Sequence, residues 1–174
     1  MPLFIDGARL GYALTATGND VTLEDIARIA DVFYIGGTKV GAMFGEAVVF
    51  THGNMPKNFV TLVKQHGALL AKGWLLGVQF DTLFTDDLYC RIARHANDAA
   101  DRIREVLVER GYTLTFDAPT NQIFITLDNA TSERLQRNVR LGFMEKADDT
   151  HTVMRICTSW ATTDEQVEQL IALL

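Results

Sequence analysis

Apolar and polar positions follow two different textures along the 174-residue chain. In the first third, apolar residues come in short unbroken runs. Leu3 to Ile5, Val32 to Ile35 and Ala47 to Phe50 each read as a buried strand bounded by polar or glycine-rich breaks. Thr22-Leu23-Glu24-Asp25 has the form of a capping box with Asp in place of Glu. Leu23, Ile26, Ala27 and Ala30 then follow helical spacing, which predicts a short helix to about Ala30. Strand, helix, strand with continuously apolar strands predicts an α/β sheet covered on both faces.

Further along, helical periodicity takes over. A helix is predicted from Asn54 to about Leu70, with Phe59, Leu62 and Val63 on one face. A longer amphipathic helix is predicted over Asp86 to Arg110, with Leu88, Ile92, Ala99, Ile103 and Leu107 inward and Gly111 as its terminating glycine. Tyr112 to Phe116 and Ile123 to Leu127 read as strands. A helix follows from about Ser132, then a strand from Thr152 to Cys157. A last helix from Asp164 to Leu173 buries Val167, Leu170 and Ile171. The chain therefore divides near residue 80, with residues 81–174 forming a small α+β unit. It enters its first strand with no leading turn or cap, as a chain that starts inside a larger domain does.

Composition narrows the function classes. Hydrophobic residues make up 48% and charged residues 22%, a globular balance. A net charge of −6 argues against nucleic-acid binding. No apolar run approaches the ~18 residues of a membrane helix, so no membrane partner is expected. Met1 to Asp6 lacks the basic and apolar segments of a signal peptide. Cys90 and Cys157 form no paired motif and read as reduced, buried thiols, which points to the cytoplasm. Gly37, Gly41 and Gly45 make neither a dinucleotide fingerprint nor a P-loop. The four histidines show no metal-binding spacing, and no metal is expected.

Four residues stand where chemistry is placed. Lys39 follows an apolar strand in a glycine-dense turn, at the strand end where α/β sheets bind ligands. A desolvated lysine there is a Schiff-base nucleophile; a solvated one is an ordinary loop lysine. Asp6 ends another strand of the same sheet and either faces a cationic ring nitrogen or caps the following turn. Arg9 pairs with Asp6, binds a substrate carboxylate, or makes a surface salt bridge. Arg155 shares a strand face with Val153 and Cys157, which places it at a sheet edge or against an anion.

Asp6-Gly7-Ala8-Arg9, together with Gly37-Thr38-Lys39-Val40-Gly41, resembles the threonine aldolase and β-eliminating lyase family of pyridoxal-phosphate enzymes. The resemblance runs on through Gly45-Glu46-Ala47-Val48-Val49-Phe50 to Arg155-Ile156-Cys157-Thr158-Ser159-Trp160. It implies the aspartate-aminotransferase-like fold (fold type I): the C-terminal part of the large cofactor domain over residues 1–80 and a small C-terminal α+β domain over 81–174. It implies pyridoxal 5′-phosphate as cofactor, with Lys39 as its covalent anchor and Asp6 keeping the ring nitrogen protonated. Arg9 and Arg155 would fix the substrate α-carboxylate, and Lys72 would assist with the cofactor phosphate. The implied reaction breaks the Cα–Cβ bond of a β-hydroxy amino acid, giving glycine and acetaldehyde from threonine, in a homo-oligomer. Family members are longer. The chain matches their second half and lacks the phosphate loop, the ring-stacking histidine and the first strands. The reading that follows is a truncated form inactive alone; the alternatives are a non-catalytic truncated homologue acting as an assembly module, and a pyridoxal-phosphate-dependent β-eliminating lyase or aminotransferase.

Overall fold

The computed structural model describes residues 1–174. Two sheets are threaded on one long helix. The first sheet has three strands, β1 (Phe4–Ile5), β2 (Val32–Gly36) and β3 (Glu46–Phe50), in that order. β1 runs parallel to β2, and β2 runs antiparallel to β3. Between β1 and β2 lie α1 (Leu10–Leu14) and α2 (Leu23–Ile29). The capping box at Thr22 forms as read, with the Thr22 side chain and Asp25 exchanging hydrogen bonds. α1 was not foreseen, because five residues are too few to show a period.

The sheet is covered on one face only, not both. Phe33 and Ile35 point into a cluster with Leu10, Tyr12, Ile26 and Val40. The opposite face carries Phe4, 60% exposed, and Val48, 50% exposed. Continuous apolar runs signal strands that bury both faces, and here the second face has no cover within this chain.

The segment after β3 also departs from expectation. Helix α3 is short (Phe59–Gln65), and Pro56 opens the turn before it. A second helix, α4 (Trp74–Phe84), occupies a stretch with no single apolar stripe. The long helix, α5 (Leu88–Glu109), begins two residues later than predicted, because Asp86 and Asp87 adopt left-handed backbone at φ 51° and 56°. At 22 residues it is about 33 Å long. Gly111, at φ 78°, terminates it as the sequence indicates, and Tyr112 N–H donates to Leu107 O at 2.9 Å.

The second sheet has four strands in the order β4 (Thr113–Leu114), β5 (Gln122–Asp128), β7 (His151–Cys157), β6 (Gly142–Lys146), with neighbours antiparallel. β6 was not anticipated; its register is broken between Phe143 and Glu145, which hides the alternation. α6 (Asn129–Gln136) starts earlier than Ser132 because Asp128 caps it, accepting Thr131 N–H at 2.9 Å. α7 (Asp164–Leu173) carries a capping box at Thr163. Ile103 and Leu107 of α5, Ile123 and Ile125 of β5 and Val167 of α7 form the second cluster. α5 serves both clusters: Ala93 and Ala96 pack in the first, and Ala99 and Ala100 in the second.

Candidate active site

The chemistry sits where β1 and β2 end side by side. Gly36 N–H donates to Gly7 O at 2.9 Å, and Leu10 N–H donates to the same oxygen at 2.9 Å as α1 begins. A Cβ on Gly7 would stand 1.7 Å from Tyr34 O, so only glycine lets the two strand ends approach this closely. Asp6 is thereby held against β2. Its Oδ1 accepts Ala8 N–H at 2.9 Å and the Tyr34 hydroxyl. These bonds, the Tyr34 hydroxyl first, hold the Asp6 carboxyl below its ordinary range, and the positive charge of Lys39 adds to the effect. Asp6 is therefore both a turn cap and an ionised carboxylate near Lys39.

After β2 the chain turns sharply. Gly37 N–H donates to Glu46 Oε2 at 2.9 Å, and Gly37 O accepts Val40 N–H at 2.9 Å and Ala42 N–H at 3.0 Å. Val40 is fully buried and anchors the turn. Thr38 and Lys39 project from it, and the Lys39 side chain is exposed rather than desolvated. The lysine backbone is nevertheless fixed, because the buried Tyr12 hydroxyl donates to Lys39 O. Burial raises the Tyr12 hydroxyl's pKa, while the Trp160 backbone and Arg9 oppose the shift. Tyr12 thus stands between α1, the lysine turn and the segment after β7. Tyr89, at the start of α5, ties α1 to β2: its oxygen accepts Gly11 N–H at 3.0 Å and its hydroxyl donates to Gly36 O at 2.9 Å. Desolvation raises its pKa, consistent with a neutral structural phenol.

Neither arginine behaves as a surface residue. Arg9 makes no ion pair with Asp6, and its Nε is buried without a partner. Arg155 is not on an edge, since β7 lies between β5 and β6. Its Nη1 donates to Gln122 Oε1 at 3.2 Å, while its Nε is also buried and unpartnered. Buried guanidinium nitrogens lacking an acceptor are costly and suit an incoming anion. Lys72 is exposed in the turn before α4, where its carbonyl accepts Leu75 N–H, and no bond joins it to the other candidates. Both cysteines are free, but Cys157 is exposed at the end of β7, not buried as expected. Cys90 is half-buried, and desolvation pushes its thiol up to about 11.

Tyr12, Tyr34, Tyr89 and Gln122 escaped the sequence reading. Tyr34 alone left a signal, as the single polar-tipped residue inside an apolar strand run.

The solved structure of a Leishmania major threonine aldolase superposes on 99% of this chain with a TM-score of 0.96 and 41% identity, over 51% of that protein. A serine palmitoyltransferase of Sphingomonas wittichii superposes on 99% of the chain with a TM-score of 0.66 at 18% identity, a likeness of fold alone. The fold is fold type I, the aspartate-aminotransferase-like fold of pyridoxal-phosphate enzymes. No protein-family model matches the chain. Among curated proteins, a low specificity L-threonine aldolase of Pseudomonas aeruginosa is 30% identical over 169 residues, covering 97% of this chain and 48% of that protein. The chain thus resembles threonine aldolases, and it spans about half the length of the relatives it matches.

Proposed function

We propose that this chain supplies part of a pyridoxal-phosphate-dependent lyase that cleaves the Cα–Cβ bond of a β-hydroxy amino acid, releasing glycine and an aldehyde, acetaldehyde where the substrate is threonine. The observation that carries the reading is the 41% identity with the Leishmania major threonine aldolase across nearly the whole chain. The donor set supports it. Asp6 is an anion suited to a protonated ring nitrogen, and Arg9 and Arg155 each keep a buried Nε without an acceptor. Lys39 offers an exposed side chain on a fixed backbone.

When bound, the cofactor supplies a conjugated ring that takes up the electron pair of the breaking bond. Lys39 would anchor it. Asp6, ionised across the neutral range, would hold the proton on the ring nitrogen. Arg9 and Arg155 would bind the α-carboxylate and so decide which Cα bond is aligned for cleavage. Lys72 would assist with the phosphate. Gln122 acts through Arg155 by accepting from its Nη1.

Incubation with pyridoxal 5′-phosphate followed by borohydride reduction and peptide mapping tests the reading. A stable adduct on Lys39, lost in Lys39→Ala, is expected. Unchanged labelling in Lys39→Ala would remove the lysine from its role. Absence of any adduct on Lys39 in the unsubstituted chain would favour a non-catalytic assembly module, and a keto acid product would favour a β-eliminating lyase or aminotransferase.

A further inference from the structure

Asp6 and Tyr34 lie on the same uncovered face of the first sheet. Phe4 pairs with Val32 across the parallel strands, so Phe4 and Asp6 project with Val32 and Tyr34. The rings of Phe4 and Tyr34 lie 6.1 Å apart on that face. An aspartate carboxyl rotates freely about its last torsion unless something holds it. Here Ala8 N–H and the Tyr34 hydroxyl both donate to Oδ1. Oδ2 receives no hydrogen bond from this chain.

We propose that Tyr34 is a positioning residue: it pins Oδ1 of Asp6 and leaves Oδ2 as the acceptor for the protonated ring nitrogen of pyridoxal phosphate. The proposal rests on the role given to Asp6 in the proposed function. A phenol donating to a carboxylate makes a charge-assisted bond that fixes orientation as well as charge. The two ends respond in opposite senses. The Asp6 carboxyl is lowered, and the Tyr34 phenol is pushed up to about 12, chiefly by the same bond. Lys39 also faces Asp6, and Glu46 also faces Tyr34, each reinforcing the shift on its neighbour. The bond is therefore complete between the two values. It is lost as pH falls through the lowered Asp6 pKa or rises towards that of Tyr34.

The unloaded chain gives the first readout. In Tyr34→Phe, the carbon-13 carboxyl titration of Asp6 should move up towards about 3.9. In Asp6→Asn, the Tyr34 phenol should titrate nearer about 10. The second readout is capture of two aldehydes on Lys39, followed by borohydride trapping. Pyridoxal 5′-phosphate carries the ring nitrogen, and 2-hydroxybenzaldehyde does not. Tyr34→Phe should weaken capture of the first about ten-fold and leave the second unchanged. Equal loss of both aldehydes would mean a merely structural tyrosine and overturn the proposal. An Asp6 titration unmoved by Tyr34→Phe would overturn it too. If neither aldehyde labels Lys39 in the unsubstituted chain, the proposed function itself falls, and the cofactor role of Tyr34 with it. Normal labelling beside an unmoved titration sinks Tyr34 alone.

Discussion

The two sheets of this chain are built to different standards of self-sufficiency. The second packs Leu107, Ile123, Ile125 and Val167 into a cluster closed by helices α5 and α7. The first packs its inner face against α1, α2 and the start of α5, yet leaves Phe4 and Val48 open on the other face. Helices α3 and α4 beside it bury only Leu83 between them, and Trp74 is 65% exposed. Asp6, Lys39 and Arg9 all belong to the first region, and only Arg155 comes from the second. Reactive groups thus stand on the less complete half, where turns at strand ends leave polar atoms free. The more complete half lends its stability through α5 and one arginine. Loops carry chemistry because the elements beneath them are rigid.

That contrast can be broken by experiment. The largest effect is expected at Leu107, which is fully buried in the second cluster. Leu107→Ala should cost about 2–5 kcal/mol in urea unfolding, through lost burial and a residual cavity. A loss below about 1 kcal/mol would mean that the second region is no better packed than the first.

Tyr89 sharpens the comparison from the other side. Tyr89→Phe strands Gly11 N–H and Gly36 O in a buried setting. The expected cost is about 1–3 kcal/mol. Hydrogen exchange should show the loosening in α1 and β2 before β5 and β7. Uniform loosening across both sheets would show that they unfold as one unit.

A smaller effect concerns the turn between β6 and β7. Asp148 accepts the Thr150 hydroxyl at 2.8 Å, Thr150 N–H at 2.6 Å and His151 N–H at 2.8 Å; the Thr150 hydroxyl first, then Thr150 N–H and the His151 ring and N–H, lower its carboxyl to about 2. A lowered carboxylate stabilises the fold above the unfolded-state value of about 3.9. The contribution fades as pH falls towards about 2. Amide shifts of Thr150 and His151 should follow that titration, and Asp148→Asn should abolish the pH dependence. Persistence of the same titration in the variant would place its cause elsewhere.

The smallest effect is expected at Trp74. Trp74→Ser should change stability by no more than about 0.5 kcal/mol, because the side chain is mostly exposed already. A loss of several kcal/mol would show that the first region is covered in solution and would erase the contrast.

Much of the architecture was legible in the pattern of residues. The runs at Val32 to Ile35 and Ala47 to Phe50 are strands. Of the residues that the helical periods point inward, Ala99, Ile103, Leu107 and Val167 are buried, while Leu88, Ile92, Leu170 and Ile171 are only half-buried. The capping box at Thr22 and the terminating Gly111 are local devices, so a local reading finds them. The failures have physical causes. α4 lacks one dominant stripe, β6 is interrupted by a bulge, and the left-handed pair Asp86 and Asp87 delays α5. The expected double cover of the first sheet fails because apolar strands record a demand for burial and not the presence of an element that meets it, and Phe4 and Val48 stay exposed.

The sequence by itself determined the residue types at the strand ends: an aspartate, an arginine and a lysine set in polar and glycine-rich turns after apolar runs. Backbone geometry near a strand end is local, so nearest neighbours suffice to place them. Only the tertiary structure decided which groups hold them. Tyr12 reaches Lys39 across 27 positions, Tyr34 reaches Asp6 across 28, and Tyr89 reaches Gly11 across 78. It also decided that Arg155 stands on an interior strand with an unpartnered nitrogen. Such pairings depend on how helices and sheets pack, and packing is a property of the whole chain that no local period encodes.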